Sequence, residues 1–181
     1  TGRTPLLIGI KKKASAKVIK LLVDACPEAV KVKDESGWTP LHNGMQFKAP
    51  AEAIKLLVEA CPEVVNEKNE FGYTPLHRGL QNMAPAEAIK LLVDACPEAV
   101  KEKDRYGNTP LHWGMQFKAP AEVIKLLVEA CPAGVKEKDK DGDTPLHYGM
   151  MNNATVEAIQ LLIETWPEGA KAKDNDGKTP L

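Results

Sequence analysis

The tripeptide Thr-Pro-Leu recurs every 35 residues along this 181-residue chain, and the spacing never changes. All 14 prolines keep the same register, falling into three slots of the repeat. A fixed period of this length indicates an architecture in which each unit packs on the next. We therefore expect a single array over residues 1–181, cut from a longer one, with units at about 4–38, 39–73, 74–108, 109–143 and 144–178 and the start of a sixth at 179–181.

Each unit is predicted to hold two helices followed by an exposed turn. Thr39-Pro40 supplies an N-cap hydroxyl and then a proline, whose fixed φ suits the first helical position. The second helix opens at Pro50, with Glu52 placed against the positive end of its dipole, and Cys61-Pro62 closes it. Gly72 then falls where a turn needs a positive φ.

This pattern resembles the ankyrin repeat over essentially the whole chain. The Thr-Pro-Leu-His opening of that family is matched at 39–42, 74–77, 109–112 and 144–147. The family's usual unit is about 33 residues long, and the two extra residues fall in predicted loops. The resemblance implies a mainly α fold, an ankyrin-like α-solenoid of stacked helix-turn-helix repeats with protruding turns.

Two positions of the first helix depart from the family pattern. Glycine replaces the family's usual alanine at Gly44, Gly79, Gly114 and Gly149, which predicts closer helix contacts there. The preceding position, usually leucine in the family, holds Ile8, Asn43, Arg78, Trp113 and Tyr148. Such a mixture does not fit one shared core position.

Four cysteines and four histidines each recur at the 35-residue spacing, and both sets are predicted to be structural. Equivalent residues on stacked helices lie about 8–10 Å apart, too far for a disulfide or a shared metal ion. We therefore expect free thiols at Cys26, Cys61, Cys96 and Cys131, and no metal site. The resemblance implies that the histidines bond backbone in the turns, joining adjacent repeats, at His42, His77, His112 and His147.

Charge and motifs exclude several classes of function. The net charge of -1 provides no basic footprint for nucleic acid or anionic lipid, and no apolar run is long enough to cross a membrane. The chain holds no phosphate-binding loop, zinc-hydrolase motif or serine placed beside a candidate histidine and aspartate. The sequence therefore predicts a non-catalytic protein without a cofactor.

The predicted partner surface comprises the positions that change between repeats. Six of the nine aromatic residues lie there, and Tyr, Trp and Arg dominate binding hot spots. The resemblance implies contacts through turn tips and the concave face of the first helices: Glu35, Ser36, Trp38, Phe47, Glu70, Phe71, Tyr73, Arg105, Tyr106, Asn108, Phe117, Lys140, Asp141 and Asp143. Composition alone adds Arg78, Trp113 and Tyr148 to this surface, the alternative being that they fill a modified helix interface.

The sequence thus predicts recognition of a protein or peptide by a monomer in a reducing, intracellular compartment, cytoplasmic or nuclear. One alternative is a structural spacer or self-associating fragment, whose ends stack on one another. Another is an accessory segment of a larger enzyme. Repeats two and four share a nine-residue segment, at 44–52 and 114–122, which is consistent with either natural duplication or design.

Overall fold

The structure, a computed structural model, describes residues 4–181, and all regular structure in that range is helical. The chain forms two compact units, Thr1–Ala99 and Val100–Leu181. The first unit contains α1 (Pro5–Lys11), α2 (Ala16–Ala25), α3 (Pro40–Phe47), α4 (Ala51–Ala60), α5 (Pro75–Gln81) and α6 (Ala86–Ala95). The second contains α7 (Pro110–Gln116), α8 (Ala121–Ala130), α9 (Pro145–Met151) and α10 (Val156–Thr165).

Within each unit, first helices pack on first helices and second helices on second helices. In the first unit α3 contacts α1 and α5, while α4 contacts α2 and α6. In the second unit α7 packs on α9 and α8 on α10. A short 3-10 helix follows every second helix, at Pro27–Lys31, Pro62–Asn66, Pro97–Lys101, Pro132–Lys136 and Pro167–Lys171. The predicted stacked helix-turn-helix architecture, an α-solenoid of the ankyrin type, is confirmed; the single array over all 181 residues stays a prediction.

The leucine of the Thr-Pro-Leu motif is buried in all five repeats, at Leu6, Leu41, Leu76, Leu111 and Leu146, and each second helix buries part of its aliphatic surface. Leu41 and Ile54 have no exposed surface in the first unit, and Ile124 has none in the second. Removing apolar surface from water in this way supplies most of the folding free energy. Among residues 4–181, no helix combines the length and apolar composition that a bilayer crossing requires.

Gly79 and Gly149 allow close contact with the preceding repeat, as predicted for these two positions. A Cβ on Gly79 would lie 2.5 Å from Met45 Cε and 3.0 Å from Ile89 Cδ1. A Cβ on Gly149 would lie 2.5 Å from Met115 Cε. Each methionine therefore fills the space that an alanine would occupy, which explains the loss of the family's alanine here.

The histidines cap their own helices and reach the following turn. The Thr39 N–H donates to His42 Nδ1 at 3.2 Å, and the Thr39 hydroxyl lies 2.8 Å from the same nitrogen. These bonds leave the proton on Nε2, which donates to the Tyr73 carbonyl at 2.9 Å. His112 and His147 likewise reach the carbonyls of Asp143 and Lys178. The predicted link to the backbone of the turns is confirmed for these three histidines.

A matched pair of glycines tests how tightly the turns of the second unit pack. Gly142 and Gly177 have φ values of +85° and +80°. A Cβ on Gly142 would lie 2.7 Å from the Asn175 backbone nitrogen, whereas nothing lies within 4 Å of one on Gly177. Gly177→Ala should therefore cost about 1 kcal/mol through backbone strain, and Gly142→Ala about 2–4 kcal/mol through strain and collision. Urea unfolding measures both, and equal losses would show that the turns do not pack as described.

Candidate functional site

The turns are held by one side chain that caps the backbone of the turn. Asp104 Oδ1 accepts hydrogen bonds from the backbone N–H groups of Tyr106 at 2.8 Å and Asn108 at 2.9 Å. The equivalent atoms of Asp34, Asn69, Asp139 and Asp174 accept the same pair of bonds in their turns. Such side-chain caps fix the turn, so the tip residues project from a defined backbone.

Most of the predicted tip residues are exposed, while those nearer the helices are partly covered. The exposed tip residues are Glu35, Ser36, Glu70, Arg105, Tyr106, Lys140 and Asp141. Half-buried ones are Trp38, Phe71, Tyr73 and Asp143, together with Phe47 and Phe117 on or beside the first helices. Asn108 is only 7% exposed, and its amide donates to Asp104 Oδ2. This packing leaves little of the Asn108 side chain accessible, and its role as a contact residue stays a prediction.

In the first unit, Trp38, Phe71, Tyr73 and Arg78 form an aromatic cluster. Tyr73 stacks on Phe71 with ring centroids 5.8 Å apart and lies 6.2 Å from the Trp38 ring. The Arg78 guanidinium carbon lies 4.5 Å from the Trp38 centroid, in cation–π range. These residues come from two turns and α5, so stacking of repeats brings together side chains that are up to 40 positions apart in sequence.

In the second unit, Tyr106 is the most exposed aromatic residue of the predicted surface. It is 47% exposed, and the guanidinium of Arg105 lies over its ring, 4.8 Å from the centroid. The guanidinium also hydrogen-bonds the Tyr106 hydroxyl. Acidic residues surround the neighbouring turn, and burial together with the Asp139 carboxylate raises the pKa of Asp143. This tip presents an aromatic ring and a cation, and the neighbouring turn presents carboxylates.

Two of the residues added from composition brace a turn against a helix. Trp113 is 5% exposed and its Nε1 donates to Asp104 Oδ2 at 3.0 Å. The Tyr148 hydroxyl donates to Asp139 Oδ2 at 2.9 Å, and burial and that carboxylate raise the pKa of Tyr148. In both cases the acceptor stands nine residues before the donor. This placement favours the alternative that Trp113 and Tyr148 fill a helix interface, and their contact with a partner stays a prediction.

Sequence reasoning missed the bracing carboxylates of Asp104 and Asp139. The sequence pattern that could have revealed them is a spacing of nine residues between the Asp or Asn that caps a turn and the variable residue of the following first helix. That spacing also pairs Asn69 with Arg78. The turn residue is aspartate in every other repeat, so the asparagine is visible once the repeats are aligned.

No arrangement for metal or thiol chemistry is seen in the described part of the chain. Between residues 4 and 181, no three side chains of His, Cys, Asp or Glu come together as a ligand set. All four cysteines are free, ranging from exposed Cys26 to buried Cys61, and burial raises the pKa of the Cys61 thiol. A raised pKa keeps a thiol protonated and poorly nucleophilic.

Comparison with known families gives one match. The family described as ankyrin repeats, in three copies, matches residues 45–132 and 115–181. Together these segments cover most of the chain. No curated protein matches the sequence.

Proposed function

Because the chain belongs to the ankyrin-repeat family, whose domains generally bind other proteins and are typically non-catalytic, we propose that it recognises a protein or peptide through its turn tips and the adjoining surface of its first helices. One observation carries this proposal. At the turn tips, residues that vary between repeats, such as Glu70 and Tyr106, project into solvent, whereas the unchanged residues that start the first helix, such as Thr39 and His42, are buried. Variation at exposed loop positions supports a surface adapted to a partner.

Preformed geometry supports recognition rather than folding on binding. The tips are fixed by their side-chain caps, and the rings of the aromatic cluster already contact one another. Binding therefore costs little conformational entropy at these residues, which favours affinity from a modest contact area. The four free thiols support a reducing, intracellular setting as part of the same proposal.

Tyr106→Ala tests the proposal on an exposed residue. Loss of an aromatic anchor should weaken binding of a peptide selected on the intact chain by about 30-fold, corresponding to roughly 2 kcal/mol for an interface hot spot. The urea midpoint should hardly change, because Tyr106 covers little of the core. Isothermal titration and urea unfolding of the same preparation measure both effects.

Val156→Ala provides the matched control. Val156 is 76% exposed and begins α10, so it belongs to a second helix and not to a turn tip. Its truncation should leave both affinity and stability unchanged. Equal loss of binding in the two variants, or none in Tyr106→Ala, would argue against recognition through the tips.

A further inference from the structure

Arg78 lacks the carboxylate acceptor that the equivalent residues Trp113 and Tyr148 have in their repeats. In two other repeats the turn aspartate uses Oδ1 to cap the backbone and Oδ2 to accept from the helix residue nine positions later. In the pair Asn69 and Arg78, an amide takes the place of the carboxylate. Asn69 Oδ1 still caps the turn, accepting from the N–H groups of Phe71 and Tyr73. Its Nδ2 is a donor where Asp104 presents an acceptor.

Two donors are left without acceptors as a result. Asn69 is 7% exposed, and its Nδ2 has no hydrogen-bond partner among the described residues. Among residues 4–181, Arg78 Nε is also buried without an acceptor, and the guanidinium donates a hydrogen bond only to Gln81 Oε1. Buried donors that lack acceptors are costly in a folded protein. The amide of Asn69 therefore leaves Arg78 without the acceptor that a turn aspartate provides in the other two repeats.

The charge of Arg78 is uncompensated as well. No carboxylate within residues 4–181 forms an ion pair with it, and partial burial lowers the pKa of its guanidinium. The group is nevertheless held in place, because it stacks on the Trp38 ring. A planar, partly dehydrated guanidinium fixed on an aromatic face is well suited to bind a carboxylate with two parallel hydrogen bonds.

We propose that Arg78 is the anchor for a carboxylate side chain of the partner, and that the neutral amide of Asn69 keeps this anchor free of an internal counter-charge. The inference rests on the proposed function and narrows it. The partner presents an acidic residue to the aromatic cluster, with apolar residues beside it for Trp38 and Tyr73. The binding segment is therefore an acidic peptide with aromatic or aliphatic neighbours.

The test uses dodecapeptides selected from a random phage-displayed library on the intact chain. We expect the selected peptides to share an Asp or Glu at one position. Replacing that residue with Asn or Gln should weaken binding at least tenfold on the unmodified chain. On Arg78→Met, which keeps the length of the side chain but removes its charge, the same replacement should change the dissociation constant less than twofold.

Asn69→Asp separates a binding role from a structural one. The new carboxylate would pair with Arg78 inside the protein, so the urea midpoint should rise while affinity for the acidic peptide falls about tenfold. Affinity for the Asn or Gln version of the peptide should stay unchanged. This variant keeps the proposal testable even if Arg78→Met does not fold.

The outcomes distinguish this inference from the proposed function. Peptides that bind through Tyr106 without any dependence on an acidic residue would overturn the Arg78 anchor and leave the turn-tip surface intact. Undiminished binding of the acidic peptide to Asn69→Asp would overturn the anchor too. A library that yields no binder would contradict both proposals.

Discussion

Lowering the pH from 7 to 5 should destabilise the chain by about 4 kcal/mol, or about 2 kcal/mol for each of two histidines. Burial lowers the pKa of His42 and His112 from the ordinary value of 6.5 to about 4. Between these two pKa values the unfolded chain binds the proton and the folded chain does not. The free energy of unfolding therefore rises with pH across this window and falls on acidification.

The hydrogen bonds of the histidines explain why protonation is resisted. In His42, Nδ1 accepts from the Thr39 N–H and Nε2 donates to the Tyr73 carbonyl, so no lone pair is left for a second proton. Protonation would turn Nδ1 into a donor facing another donor. Urea unfolding at a series of pH values, followed by tryptophan fluorescence, measures the loss.

The chain itself suggests the control, because the first repeat carries Leu7 in the histidine slot, where it is buried. His42→Leu should lower stability at pH 7, since it removes the bond to the Tyr73 carbonyl. It should also reduce the stability lost between pH 7 and 5 by about half. An unchanged pH dependence would show that His42 is not the group whose protonation matters.

Trp113→Ala should cost about 3–5 kcal/mol, the usual range for removing a buried tryptophan. The side chain is almost fully buried, contacts Phe117 with ring centroids 5.5 Å apart, and donates to Asp104. Truncation leaves a cavity and removes one donor from a buried carboxylate. Thermal or urea unfolding measures the loss.

Trp113→Phe separates the two contributions, because it keeps most of the ring volume and loses only the indole N–H. Its cost should be about 1–2 kcal/mol, since Asp104 still accepts from the backbone of Tyr106 and Asn108. A stability loss below about 1 kcal/mol for Trp113→Ala, combined with lost peptide binding, would return Trp113 to the partner surface.

The repeat architecture could be predicted because its signals are backbone constraints. Thr39 followed by Pro40 admits little besides a helix start, and α3 begins at Pro40. The proline after Cys61 stops the second helix, and α4 ends at Ala60. Gly72 adopts the positive φ that its position predicts. Proline and glycine act through their own geometry, so tertiary contacts do not alter what they specify.

The candidate surface could be predicted only in part. Whether an amphipathic side chain is buried depends on whether another residue of the same chain accepts its polar hydrogen. Trp113 and Tyr148 have the composition of a contact residue, yet each lies nine residues after an aspartate that accepts its polar hydrogen. Within the described residues, Arg78 has no aspartate acceptor of this kind. Composition alone could not distinguish a braced side chain from an unbraced one. The residue nine positions earlier distinguishes them, because it is aspartate before Trp113 and Tyr148 and asparagine before Arg78.

A scan of all single substitutions, scored once for folded abundance and once for binding of a selected peptide, tests most directly whether the chain separates a packing core from a recognition surface. Substitutions at Thr39, His42 and Trp113 should lower abundance, and binding only in proportion. Substitutions at Glu70, Arg105 and Tyr106 should lower binding at normal abundance. Binding loss that follows abundance at every position, with no separate set among the turn tips, would contradict the separation.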